Sequence, residues 1–337
     1  MTSDKRKRLM RVAVVQAGSV PAPDSSSSVT SGDHPFSQTT SFDTPATLDK
    51  TRSRTAEAAA AGAELVVFPE AFIGGYPKGA DFGVRVGSRS AAGRKQFAAY
   101  FAGAITADGP ESAVLGGIAR EHRVHLVIGV VEREHSTLYC SAFFYGPDGT
   151  LLGKHRKLVP TAMERVVWGC GDGSNIPVID TPLGRIGSVI CWENYMPLLR
   201  TAMYSRGIEF YCAISVDDRE SWIPTVRHIA MEGRCFVLSA CQFIDGSFAT
   251  RQDVSAPSPP VIRGGSCIIG PLGKVLAGPV YGEETILYAD LQRSDLIEAR
   301  FDLDVVGHYA RPDVFQLLVD ERPKPSISTV PDIPIPE

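Results

Sequence analysis

The chain has 337 residues, 44% of them hydrophobic and 21% charged, and carries a formal net charge of −4. That is enough apolar material for one large domain, while the weak negative charge offers no basic face to nucleic acid. No apolar run approaches the roughly 20 residues of a membrane-spanning helix, and the seven cysteines include no C-x-x-C pair, a usage that fits reduced thiols in the cytoplasm.

The N-terminal MTSDKRKRLM is basic, but a strand pattern at 12–16 follows it in place of a secretory core. A charged tail is therefore expected over residues 1–9, rather than a signal peptide or a nuclear-import patch. Residues 21–42 are rich in Ser, Thr and Pro and read as a surface loop. Thr44 followed by Pro45 is a helix-start signature, a hydroxyl cap with proline in the first turn, and predicts a helix over 45–62. A buried strand at 65–68 then ends in Pro69 and Glu70, ahead of the glycine-rich turn FIGGYPKG. Glu70 is thus a carboxylate at a strand end.

Helical patterns at 94–103 and 111–122 lead into strands at 126–131 and 142–145. Next, GKHRKLVPTAMERVVWGCGDGS places a basic cluster containing Lys157 ahead of a polar loop. A strand at 186–191 ends at Cys191, and a helix at 196–206 follows, with Asn194 placed to cap it and Pro197 in its first turn. Met196, Leu199 and Met203 mark its buried stripe. A thiol in that position faces free N–H groups and the positive end of a helix dipole, both of which favour thiolate.

Strands at 210–215, 236–241 and 267–269 and a helix at 222–233 continue the alternation. Residues 245–263, with SAPSPP, form a second loop, and the chain beyond Leu318 is proline-rich. Cys140, Cys212, Cys235, Cys241 and Cys267 lie in apolar runs and read as small core residues. Strands alternating with helices predict an α/β layered domain, either one doubly wound sheet or two packed sheets.

Taken singly, Cys191 reads as a core thiol, Glu70 as a turn-capping carboxylate and Lys157 as a solvated base beside His155 and Arg156. Together they form a chemical set. A thiolate attacks a carbon bound to nitrogen, a carboxylate takes the thiol proton and later activates water, and an ammonium stabilises the charge that develops.

Three segments in this order, FPEAFIGGYPKG, GKHRKLVPTAMERVVWGCGDGS and GSVICWENYMPLLR, resemble the motifs that carry the catalytic Glu, Lys and Cys of the nitrilase branch of the carbon–nitrogen hydrolase superfamily. The likeness extends from about residue 11 to about residue 318 and takes in HIAMEGRCFVLSACQF and FDLDVVGHYARPDVFQL. It implies one domain over 10–318, flanked by the tails 1–9 and 319–337, folded as an α-β-β-α sandwich of two packed sheets. Carried over by motif, Glu70 is the general base, Lys157 the transition-state stabiliser, Cys191 the nucleophile and Glu164 a second glutamate near the lysine and substrate. The backbone N–H of Trp192 is expected to form part of an oxyanion site, and Tyr76, Trp168 and Tyr195 to line a pocket.

The reaction implied is hydrolysis of an organic nitrile by water to the acid and ammonia, with amide as a by-product and no metal or organic cofactor. Amide hydrolysis by the same triad and a non-catalytic assembly role are the alternatives. The resemblance leaves the substrate open among a small polar nitrile such as β-cyanoalanine, an arylacetonitrile and an aliphatic nitrile. It also implies a homo-oligomer, a dimer through the helices near 196–206 and 222–233 that extends in some relatives to a spiral or filament. Two departures stand out: the 21–42 loop lies where relatives run from the first strand directly into the first helix, and Cys170 stands where glutamine is expected.

Overall fold

A computed structural model describes residues 9–23, 41–246 and 260–325; the tail 1–8 and most of the 21–42 and 245–263 loops lie outside the described residues. The chain opens with β1 (Leu9–Gln16), α1 (Thr44–Ala60), β2 (Leu65–Val67), a short hairpin of β3 (Val84–Arg85) and β4 (Ser88–Arg89), α2 (Ala91–Ala102) and α3 (Pro110–His122). It continues through β5 (His125–Glu134), β6 (Thr137–Tyr145), β7 (Leu151–Arg156), β8 (Val178–Thr181), β9 (Gly184–Ile190), α4 (Pro197–Ser205), β10 (Phe210–Ser215) and α5 (Trp222–Gly233). It closes with β11 (Phe236–Cys241), β12 (Phe243–Ile244), β13 (Ile262–Ile269), β14 (Val275–Tyr281), β15 (Thr285–Gln292) and α6 (Ser294–Ala299).

The strands form two large mixed sheets, ordered β15-β1-β2-β5-β6-β7 and β12-β13-β11-β10-β9-β8, with β14 on β13. Side-chain alternation along each strand decides the layering. Val12, Val14, Leu65, Val67 and Val127 face the second sheet and pack with its Ile186, Ile190, Phe210, Ile214 and Leu238. Their neighbours Ala13, Val15, Val66 and Leu126 point the other way, onto Leu48 of α1 and Leu115 and Ile118 of α3. On the far side, Val189, Tyr211 and Val237 meet Leu199 and Met203 of α4 and Val226 and Ile229 of α5. Three apolar seams between four layers make an α-β-β-α sandwich and exclude the single doubly wound sheet. Among the described residues no helix is long and apolar enough to cross a membrane.

Two capping expectations are corrected. Asp43, not Thr44, caps α1: its Oδ1 accepts from the Ala46 N–H at 2.8 Å, while the Thr44 hydroxyl donates to the Gly103 carbonyl at 2.7 Å. Asn194 does not cap α4, whose N-cap is Met196 without a side-chain bond. It lies in a 3-10 helix, Cys191–Tyr195, and its Nδ2 donates to the Cys191 carbonyl at 2.7 Å. The predicted strand at 186–191 stops one residue earlier, at Ile190. β7, β8, β14 and β15 escaped the pattern because they carry polar or half-exposed residues. The first part of the proline-rich tail folds back on its own chain: the Lys324 N–H donates to Asp172 at 2.7 Å, and Glu321 pairs with Arg206.

Candidate active site

Glu70 follows β2 in a turn that presses on β5. A Cβ on Gly129 would sit 2.2 Å from the Pro69 carbonyl oxygen, so only glycine lets that turn come so close. Gln242, the link between β11 and β12, donates to the Glu70 carbonyl at 2.7 Å. The Glu70 carboxylate is wholly buried at the seam between the sheets. Burial holds it above the ordinary carboxylate range, with the Glu164 charge adding and the Lys157 ammonium opposing.

Lys157 leaves β7 with its N–H on the Cys140 carbonyl at 2.8 Å, so the edge of the first sheet fixes its backbone. Its Nζ, with no solvent exposure, donates to Glu70 Oε1 at 2.7 Å and to Glu164 Oε2 at 2.7 Å. Burial alone would discharge the ammonium, but Glu70 and the other acidic groups around it outweigh that and hold its pKa well above 10.5. Glu164 lies in a 3-10 helix, Ala162–Val166, and closes a capping box with Thr161, whose N–H it accepts at 2.7 Å. Its Oε1 accepts from the Tyr76 hydroxyl at 2.8 Å. The Tyr76 ring meets Trp168 edge-on at 5.8 Å, and Lys157 Nζ lies 5.8 Å from the same indole. Glu70, Lys157, Glu164, Tyr76 and Trp168 are therefore neighbours.

Cys191 begins the 3-10 helix after β9, with φ at 52°. A left-handed non-glycine residue is a strained conformation held by its surroundings. Here they are Asn194 on its carbonyl and Glu193, whose carboxylate accepts from the N–H groups of Ile190 at 2.9 Å and Leu158 at 2.6 Å. Glu193 also accepts from Nε2 of the buried His155 at 2.9 Å. The thiol is 4% exposed. Burial first, then the negative charge of Glu70, push its pKa up; Lys157 and a hydrogen bond with Ser215 pull the other way and lose. Burial and the neighbouring carboxylates thus favour the thiol, against the thiolate that a helix start alone would favour. The charges of Glu70, Lys157 and Glu164 all act on the Cys191 sulfur, so the thiol lies within electrostatic reach of that cluster.

Trp192 is 43% exposed, with its indole N–H on Asp217 at 3.0 Å and the Arg219 guanidinium 4.7 Å from the ring. As second residue of the 3-10 helix its backbone N–H has no intrahelical acceptor. Tyr195 contacts Trp192 at 5.9 Å and Trp222 at 6.3 Å, with its hydroxyl by Thr225 on α5, so it belongs with the outer helices. Cys170 is exposed. Cys140, read as a core residue, is buried but donates its S–H to Glu70 Oε1 at 3.5 Å. Glu193, Ser215 and Gln242 also went unnoticed. Only Glu193, a charge between two apolar runs in CWEN, carried a signal. Among the described residues no group of His, Cys, Asp and Glu is arranged to hold a metal ion.

The carbon-nitrogen hydrolase family model matches residues 11–301. An aliphatic nitrilase of Sinorhizobium fredii is 52% identical over 328 residues, covering 95% of this chain and 98% of that one. A bifunctional nitrilase/nitrile hydratase, NIT4A, of Lupinus angustifolius is 49% identical over 332 residues, covering 96% and 89%. Among solved structures, Saccharomyces cerevisiae Nit3, a member of branch 10 of the nitrilase superfamily, superposes with a TM-score of 0.65 at 22% identity, covering 92% and 99%, a likeness of fold alone.

Proposed function

The chain belongs to the carbon–nitrogen hydrolase family, and on that premise we propose that it is a nitrilase, converting an organic nitrile and water to the carboxylic acid and ammonia. The observation that carries the chemistry is the Lys157 ammonium, held 2.7 Å from each of two carboxylates within electrostatic reach of the Cys191 thiol. The preference for nitrile over amide rests on relatives about half identical over nearly the full chain that are named nitrilases.

Cys191 gives its proton to Glu70 as its sulfur adds to the nitrile carbon, and Glu70 passes that proton on to the nitrogen, which gives a thioimidate and restores the carboxylate. Lys157 stabilises the charge gathering on nitrogen, and the Trp192 N–H assists from the start of the 3-10 helix. Glu70 next takes a proton from water, which adds to the same carbon; the tetrahedral species expels ammonia and leaves a thioester. A second water releases the acid and restores the thiol. Expulsion of the thiol in place of ammonia yields amide, an outcome that fits the relatives named as bifunctional with nitrile hydratase. Glu164 orients Lys157 between the carboxylates. Tyr76 and Trp168 form the pocket wall beside the lysine, with Trp192 and Tyr195 further out.

The reading extends to assembly and place. Leu198 is 69% exposed and Met231 40%, and a hollow of about 380 Å³ lies between α4 and α5, features that support a homo-oligomer built through these helices. All seven cysteines are free, which supports a cytoplasmic setting.

The test incubates purified protein with paired nitriles and amides, aliphatic and arylacetic, and measures ammonia, acid and amide. Acid and ammonia from nitriles are expected. Turnover of amides alone would make the protein an amidase, and turnover of neither would return the non-catalytic role.

A further inference from the structure

The two oxygens of the Glu70 carboxylate are used unequally. Oε1 accepts from Lys157 Nζ at 2.7 Å and from Cys140 Sγ at 3.5 Å. Oε2, equally buried, has no hydrogen-bond partner. A buried carboxylate oxygen left open calls for an explanation, because such atoms are nearly always satisfied. Lysine alone does not fix which oxygen is open: its ammonium is a rotating point donor on a flexible stem and follows either oxygen if the carboxylate turns over. Cys140 cannot follow. Its side chain has a single rotatable bond to sulfur, it stands in the middle of β6 and is fully buried, and its carbonyl accepts the Lys157 N–H at 2.8 Å. One residue thus touches the carboxylate through its thiol and the lysine through its backbone.

We propose that Cys140 is a positioning residue for catalysis: with Lys157 it occupies Oε1 and leaves Oε2 as the atom that takes the proton from Cys191 and then from water. The step moves one proton from sulfur to Oε2 as the sulfur–carbon bond forms, and Cys140 keeps its own proton throughout. Burial and the Glu70 charge hold the Cys140 thiol well above its ordinary range, so it donates at every working pH and does not compete as a nucleophile. Its S–H bond favours the ionised form of Glu70, and its loss raises the pH at which the base becomes active. The inference rests on the reading of Glu70 as general base.

The experiment compares Cys140→Ser, which keeps a donor, with Cys140→Ala and Cys140→Val, which do not; valine fills the space if alanine fails to fold. The readout is the rate at which iodoacetamide alkylates Cys191, followed by peptide mass spectrometry from pH 4 to 9, so that no substrate need be known. Alanine and valine are expected to move the acid limb up by about half a pH unit, and serine to keep it within about 0.2 unit. Identical limbs in all three variants and the wild type, or a shift in serine equal to that in alanine, would overturn the inference. Glu70→Gln separates the two claims. If it keeps the wild-type limb, the base assignment fails; if it loses the limb while the Cys140 series stays put, only the role of Cys140 fails.

Discussion

The Glu193 carboxylate accepts from the Leu158 N–H at 2.6 Å, so the turn that carries Cys191 is fastened to the residue following Lys157. The same carboxylate takes the N–H of Ile190, just before the cysteine, and Nε2 of His155, two residues before the lysine. Cys191 and Lys157 come from different sheets, and this buried acid is the strut between them. Glu193→Ala leaves the His155 charge and two N–H groups stranded. A loss of about 3–5 kcal/mol in urea unfolding is expected, and a loss below about 1 kcal/mol would mean the strut bears nothing.

His155 faces an acceptor with each ring nitrogen: Nε2 meets Glu193, and Nδ1 meets the Asn175 carbonyl, which can only accept. Both contacts therefore favour the doubly protonated, cationic ring. Burial works against that charge, but Glu193 outweighs it and raises the pKa above 6.5; burial also works against Glu193, but His155 and the N–H groups bring it below 4.5. A raised histidine contributes stability in full below 6.5 and loses it as pH climbs through the higher folded value; a depressed carboxylate contributes in full above 4.5 and loses it as pH falls through the lower one. Thermal unfolding of wild type and His155→Gln should differ most between these two pH values and converge in alkali. A gap that widens steadily above pH 6.5 would rule out the cationic ring.

Lys157→Arg keeps the charge but not the fit. The ammonium has no exposure and reaches two carboxylates at 2.7 Å each, so a larger planar group must displace one of them or the Trp168 ring. Turnover should fall by at least about a hundredfold, the scale of losing one charge-stabilising donor. Steady-state assay of the variant near wild-type rates would reduce Lys157 to a bystander.

How far the sequence reaches can be seen at single residues. Glu70 and Cys191 stood out because each sits where an apolar strand gives way to a turn, Lys157 because it lies in a basic cluster ahead of a polar loop, and the three motifs resemble one family. The sandwich needed that resemblance: alternation at Val12 to Val15 declares two buried faces, but not that one of them meets a second sheet. Cys140 was invisible, since a thiol inside an apolar run looks the same whether its neighbour is a leucine or a carboxylate from 70 residues away. The pull toward the thiol at Cys191 was hidden for the same reason: the local helix start is in the sequence, while the burial and the Glu70 charge that oppose it are not.

With Glu70 as the proposed base, activity requires its ionised form, and burial chiefly holds Glu70 above its ordinary value of 4.5. kcat/KM should therefore rise with pH through a value above 4.5, whereas Lys157, held well above 10.5, contributes no alkaline fall below that pH. The pH–rate profile checks both limbs. Full activity persisting down to pH 4.5 would remove Glu70 from the proton path.

Tyr76→Phe asks which side of the pocket the hydroxyl serves. It donates to Glu164 Oε1 at 2.8 Å, while Glu164 Oε2 holds Lys157 and the Thr161 N–H. Removing it takes one donor from a charged acceptor and leaves the ring against Trp168 in place. If Glu164 sets the position of Lys157, the loss reaches the transition state, and kcat should drop about tenfold with KM within about twofold. If the hydroxyl instead holds the nitrile's substituent, KM rises and kcat stays. Steady-state kinetics on one well-turned-over nitrile separates the cases, and a pure KM effect would move Tyr76 from the lysine's support to the substrate's.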